Sequence, residues 1–273
     1  MILEVTGIFI VIYLLICWAL TRRFVSPKRT IPLMPDSVEE ALVMTEDGPN
    51  PTWVSPNLAR FKKIFILIYG YGADRGVWDG VVTELQTLDF GVAVPAMPGQ
   101  DASPAKTVGF GPKESKVVVA TAEFVRLANP NAEIIGLGVS LGGAALWLAS
   151  ELKPDLFSAI ITEAAFGKLR HAVNCYLNYG LPFGAIILQP MFFIAAIVEK
   201  IAVNRVRPID SALLWRGKRG LIIHDEMDRL FPKSNTEGFA VNSGLPLWTV
   251  PGASHADGFG ADPKLYIEKI TSV

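Results

Sequence analysis

Apolar residues in this chain come in short unbroken runs rather than in the strict alternation of a strand with one wet face. "KIFILIYG" (residues 63–70) is the clearest. A continuous β-rich run of this length predicts a strand covered on both faces. Similar short runs fall at 92–95, 133–137, 159–162, 221–224 and Leu247–Val250, with helical periodicity between them at 77–88, Pro112–Ala128, Leu141–Leu152, 235–242 and 263–270. Before them, Glu39–Thr45 and residues 51–55 flank "EDGPN", whose Asp-Gly marks the turn of a hairpin with two edge strands. Strands alternating with helices predict an α/β fold with a mostly parallel sheet, and ligands on such sheets bind beyond the carboxyl ends of the strands.

Two apolar stretches break the rhythm. Residues 8–20, "IFIVIYLLICWAL", extend back to Ile2 with one charge, Glu4. The run is about as long as a hydrocarbon core is thick. A signal peptide would carry Lys or Arg before the run and a small-residue cleavage site after it, and neither is present. Arg22, Arg23, Lys28 and Arg29 follow instead. The expectation is a retained single-span anchor over residues 1–21, a juxtamembrane linker over 22–38, and a catalytic domain on the cytoplasmic side. The second stretch, 181–198, has no charge, but Pro182, Gly184, Gln189 and Pro190 interrupt it. A crossing there would put the strands of one sheet on opposite sides of a bilayer. Residues 166–214 are therefore expected to form a helical cap insertion that lines an acyl pocket or touches the membrane beside the anchor.

These stretches account for part of a composition that is 51% hydrophobic with mean hydropathy +0.36. At 273 residues the chain suits one large domain with an appendage. A net charge of -1 gives no field to hold a polyanion, so nucleic acid is not an expected partner. Cys17 and Cys175 are too few and too distant for a disulfide framework, and the three histidines show no metal-binding spacing. No metal or cofactor is expected.

The chemistry concentrates in three places. Gly138-Val139-Ser140-Leu141-Gly142 is a G-x-S-x-G between a predicted strand and a small-residue helix, a context that exposes a serine hydroxyl on a sharp turn. A serine needs a base to become nucleophilic. His255, in the small-residue loop "VPGASHADGFG" after the last strand, is better placed for this than His171 in the excursion or His224 at a strand end. Asp225, Glu226 and Asp228 cluster after another strand in "LIIHDEMDRLFP", and their pattern alone leaves the acid open.

Over roughly residues 39–273 the chain resembles the α/β-hydrolase superfamily, particularly its small bacterial membrane-anchored, serine-aminopeptidase-like or lysophospholipase-like members. The resemblance rests on "LIYGYGADRGVWD", "PAMPGQDAS", "GLGVSLGG", "LIIHDEMDRLFP" and "GASHADGF", in that order. It implies an eight-stranded sheet and a triad of Ser140, His255 and Asp228. It also implies an oxyanion hole from the backbone N–H groups of Tyr71 and Leu141, with Gly138 and Gly142 as elbow glycines. The implied activity is hydrolysis of small-molecule carboxylic esters, hydrophobic acyl or glycerol esters, through an acyl-enzyme. Peptidase or thioesterase chemistry, or a catalytically weak membrane-tethered binding protein, are the alternatives. Four positions depart from the family pattern: Tyr69 for histidine, Ala96 for aspartate, and Asp101 and Asp225 each for glycine. Tyr69 is expected to alter the oxyanion loop or add a phenol near the pocket. Asp225 is expected to act as a turn substitution where unusual backbone angles are common.

Overall fold

The computed structural model describes residues 2–198 and 200–273. Its strands are β1 (Glu39–Thr45), β2 (Gly48–Val54), β3 (Lys63–Ile68), β4 (Gly91–Pro95), β5 (Glu133–Val139), β6 (Ala159–Glu163), β7 (Arg219–Asp225) and β8 (Leu247–Val250). They form one eight-stranded sheet in the order β1-β2-β4-β3-β5-β6-β7-β8. The expected mostly parallel sheet is observed, with β3 to β8 parallel and the β1–β2 hairpin antiparallel. β2 is not an edge strand, because Thr52, Trp53 and Val54 pair with Pro95, Val94 and Ala93 of β4. The unbroken apolar runs sit at the centre: Ile64 to Ile68 and the inner residues of β5 and β6 have no appreciable exposure.

Helices α2 (Asp79–Thr87), α3 (Pro112–Ala128), α4 (Leu141–Leu152), α9 (Ser234–Ser243) and α11 (Pro263–Thr271) connect or follow the strands. Their starts are written locally. Pro112 occupies the first turn of α3, and the Glu114 carboxylate accepts from the Gly109 and Gly111 N–H groups. Asp262 caps α11 by accepting from Leu265 N–H. A one-turn helix, α10 (Gly258–Ala261), separates β8 from α11.

The excursion folds as α5 (Leu169–Gly180), α6 (Gly184–Ile187) and α7 (Pro190–Val198), followed by α8 (Pro208–Ser211). Pro182 lies between α5 and α6, and Pro190 starts α7. These are the positions where a proline ends one helix or fits the first turn of the next. The N-terminal helix α1 (Ile2–Val25) contains a span, Glu4–Val25, long and apolar enough to cross a membrane, with mean hydropathy 2.1. It packs against α7. Cys17 and Val25 of α1 share an apolar cluster with Leu169, Ala185, Met191 and Phe192 of the excursion, distinct from the larger core around the sheet.

Candidate active site

The turn from β5 to α4 places Ser140 with φ 54° and ψ −115°, a strained conformation for a non-glycine residue. The flanking glycines are a steric necessity. A Cβ on Gly138 would come within 2.6 Å of the Gly142 carbonyl oxygen, and one on Gly142 within 2.1 Å of the Ile68 carbonyl oxygen. The turn is also tied to the sheet, since Ser140 N–H donates to Glu163 O at the end of β6 (2.8 Å).

The three parallel-strand ends bring the chosen residues together across 115 positions of sequence. His255 Nε2 lies 3.0 Å from Ser140 Oγ, and His255 Nδ1 lies 2.7 Å from Asp228 Oδ2. The other Asp228 oxygen accepts from the Leu230 and Phe231 N–H groups at 2.7 and 2.9 Å. Burial works against Asp228 ionisation, but the His255 contact and the two amides outweigh it and hold the carboxyl below its ordinary range. A carboxylate there favours the tautomer with the proton on Nδ1, leaving Nε2 to accept from the serine. The Phe231 ring stands edge-on to His255, with centroids 5.1 Å apart.

Leu141 opens α4, so its N–H is among the amides that a helix leaves without an internal partner. Tyr71 lies in the β3–α2 loop beside Ser140, and both residues line the cavity at the serine. This loop is braced from behind. Arg75 is buried, its Nε and Nη2 donate to Asp101 at 2.8 and 3.1 Å, and its guanidinium lies over the Trp53 ring. Arg75 N–H also donates to Asp101, and Gly72 N–H donates to Gln100.

The departures from the family pattern have definite surroundings. The Tyr69 phenol is buried and accepts from Met97 N–H (2.7 Å), so it joins the β3 and β4 ends. The expectation for Asp225 is corrected. It is the last residue of β7, has no positive φ, and is fully buried. Asp101 does have positive φ, 47°, consistent with a position where glycine is usual. Asp225 Oδ2 accepts from Ala256 N–H (2.7 Å), immediately after His255, and its carboxyl contacts that of Glu163. Glu163 in turn accepts from Gly258 N–H (2.8 Å) and from the Tyr266 hydroxyl (2.6 Å). Burial, then the neighbouring Glu163 charge, drives Asp225 far above the ordinary carboxylate range. The pair shares a proton, held on Asp225, while the two donors favour the Glu163 anion. Two buried carboxyls thus fasten the loop that carries His255.

Sequence reasoning missed Glu163. Its only signal is an acidic residue closing an apolar strand, the same signal that drew attention to Asp225. Glu226 is exposed and accepts from Gly252 N–H. His224 is buried in β7, and burial lowers its pKa. His171 lies in α5, exposed, with Nε2 at 3.5 Å from Cys175 Sγ.

A cavity of about 230 Å3 opens at Ser140, lined by Phe24, Tyr71, Phe110, Phe166, Leu169, Tyr176 and Phe231 among others. Phe24 comes from α1, and the Tyr71 hydroxyl donates to its carbonyl (2.8 Å). A second cavity of about 380 Å3 meets the serine and His255 from the other side, between Tyr69, Val77, Val81, Phe259 and Tyr266. Among the described residues, no cluster of His, Cys, Asp and Glu is arranged to hold a metal ion.

This architecture matches known proteins. The family model described as alpha/beta hydrolase fold covers residues 63–179. The chain has the α/β-hydrolase fold. Among solved structures it is similar to an esterase of Pyrococcus furiosus, with 16% identity, TM-score 0.74, and 91% of this chain and 97% of that one covered. An esterase from Exiguobacterium antarcticum matches with 14% identity and TM-score 0.63, covering 86% and 98%. A Butyrivibrio proteoclasticus protein with bound ferulic acid matches with 16% identity and TM-score 0.62, covering 85% and 96%. No curated protein sequence matches.

Proposed function

We propose that the chain is a serine hydrolase of carboxylic esters with hydrophobic acyl or glycerol groups, held at a membrane by α1. The observation that carries this reading is the hydrogen-bonded series Ser140–His255–Asp228, opening directly onto an apolar cavity. His255 Nε2 takes the Ser140 proton as Oγ attacks the ester carbonyl carbon. Asp228 steadies the imidazolium, and the Tyr71 and Leu141 N–H groups receive the developing oxyanion. As the carbonyl–oxygen bond to the alcohol breaks, His255 returns the proton to the leaving oxygen. A water deprotonated by the same nitrogen then attacks the acyl-enzyme and frees the acid and Ser140.

The 230 Å3 cavity has no Asp, Glu, Lys or Arg in its lining, which suits an uncharged acyl group better than a charged peptide end. Its size lies below the roughly 300–1,000 Å3 of drug-sized pockets, so short to medium acyl groups fit it as it stands. Retention of α1 is supported by Phe24, which forms a wall of that cavity, and by the buried Cys17, Thr21 and Val25. Fluorophosphonate should label the purified full chain and fail to label Ser140→Ala, and p-nitrophenyl esters should be cleaved in preference to aminoacyl amides. No labelling of folded protein would sink the enzyme reading. Intact-mass measurement of membrane-extracted protein tests the anchor: a form lacking residues 1–21 would refute it.

A further inference from the structure

Helix α1 does more than tether. Its buried positions Cys17, Thr21 and Val25 recur every fourth residue, and one turn further back the Tyr13 hydroxyl donates to the Ile187 carbonyl. This stripe faces α6 and α7. From Arg22, at the charged end, back to Tyr13 is nine residues, about 14 Å of helix axis. A hydrocarbon core is about 30 Å thick. If α1 crosses it with its arginines at the boundary, Tyr13 lies near mid-plane, and the excursion that touches Tyr13 reaches the same depth.

The surface of that excursion has the matching chemistry. Residues 181–198 contain no charge, and Phe183, Ile186, Phe193 and Ile197 are 72%, 70%, 70% and 78% exposed. The polar side chain within this stretch is hydrogen-bonded inside the protein: Gln189 Nε2 donates to Ala185 O and Gln189 Oε1 accepts from Arg170, while Asn178 Oδ1, from α5, accepts from Ala185 N–H. The Arg170 guanidinium itself lies over the Phe192 ring. A stretch whose one polar side chain is hydrogen-bonded inside the protein meets what lipid immersion demands of side chains. Nine residues of α7 span about 14 Å, enough for one leaflet and too few for two.

A groove of about 430 Å3 runs between α1 and the excursion, along Leu20, Leu188 and Met191, with Arg23 and Lys28 in its lining. Phe24, Tyr71 and Tyr176 line both this groove and the cavity at Ser140, with ring centroids 5.1–5.9 Å apart. We propose that α6 and α7 are immersed in the leaflet that holds the arginine end of α1, and that the groove delivers acyl esters of membrane lipids from that leaflet to Ser140. The bilayer is the partner of the exposed face because that face continues the outer surface of a helix long enough to span it. The delivery step rests on the hydrolase reading above; the immersion does not.

Cysteines introduced one at a time at Phe193 and Ile197, in a Cys175→Ser background that keeps only the buried Cys17, would carry an environment-sensitive fluorophore in the full chain reconstituted into phosphatidylcholine–phosphatidylglycerol vesicles. Both probes should be quenched by lipids with nitroxide on the acyl chain and shielded from aqueous iodide. A probe at Leu127, 84% exposed, should show the opposite. Iodide quenching at 193 and 197 would overturn the immersion, and so would shielding from both quenchers, which would indicate a protein partner or second copy. For delivery, Phe193→Glu with Ile197→Glu should lower hydrolysis of a vesicle-embedded glycerol ester by at least about tenfold. Hydrolysis of soluble p-nitrophenyl butyrate should stay within about twofold. Equal loss on both substrates would overturn delivery. A wild-type chain that cleaved neither ester would sink the hydrolase reading, while the depth measurement would still decide immersion.

Discussion

Replacing Asp225 with asparagine should make the folded chain less sensitive to alkaline pH. In the native structure Asp225 is buried against Glu163, and the pair keeps one proton that burial and charge repulsion place on Asp225, pushed up to about 9. In the unfolded chain the same carboxyl ionises near pH ~4. Between those values the unfolded state releases a proton that the folded state retains. The folded pKa is raised, so the stabilisation is fully present below about pH 4 and is lost as pH climbs through about 9. One proton limits the slope to about 1.4 kcal/mol per pH unit, or up to about 3 kcal/mol between roughly pH 6.5 and 8.5. Asparagine preserves the acceptor for Ala256 N–H and offers Glu163 a donor, but does not titrate. Urea unfolding of detergent-solubilised full chain across that range should show wild-type stability falling relative to Asp225→Asn by about 2–3 kcal/mol. Parallel curves would refute the shared proton.

Asp228→Asn should lower kcat on p-nitrophenyl butyrate by about 10³–10⁴-fold through the wrong histidine tautomer, while Asp225→Asn at neutral pH costs less than about tenfold. The reverse ranking would reassign the acid. Gly142→Ala forces a methyl to 2.1 Å from the Ile68 carbonyl and 2.7 Å from that of Tyr69, so thermal unfolding should show a loss exceeding about 1–3 kcal/mol, with fluorophosphonate labelling abolished. Arg75→Met strands the buried Asp101 carboxylate, and urea unfolding should report a loss of about 3–5 kcal/mol, partly recovered by adding Asp101→Asn.

The sheet was legible because its central strands are buried on both faces and therefore read as unbroken apolar runs. The elbow was legible because close backbone contact leaves only glycine at 138 and 142. The candidate base, His255, was legible as a histidine in a small-residue loop after the last strand. The candidate acid was not decidable from pattern, since Asp225 and Asp228 differ in which amides and side chains surround them, a property of the folded turn. The Glu163–Asp225 contact and the Arg75–Asp101 pair join residues far apart in sequence, whose meeting depends on strand order rather than periodicity. Phe24 belongs to the same class. Nothing in an apolar helix followed by arginines signals that its last turn forms a wall of a cavity at Ser140.

That dependence on tertiary neighbours also changes what the departures from the family pattern mean. Here the Tyr69 phenol accepts a buried amide, Asp101 meets a buried guanidinium, and Asp225 holds the amide beside His255. At Ala96, where an aspartate is usual, the neighbouring polar side chain comes from Asn50, whose Nδ2 donates to the Ala96 carbonyl (3.0 Å) while its Oδ1 is buried without a hydrogen-bond partner. The Asp101 and Asp225 contacts lie on the loops that carry Tyr71 and His255, whereas the Tyr69 and Asn50 contacts join the ends of β3 and β2 to the segment after β4. An uncompensated buried carboxylate or amide costs several kcal/mol, so such contacts persist when the loops they hold must keep one geometry. The unusual residues therefore brace the loops around the Ser140–His255 contact, and an idle scaffold with the same bracing differs from an acyl-transfer site in one readout, fluorophosphonate labelling of Ser140.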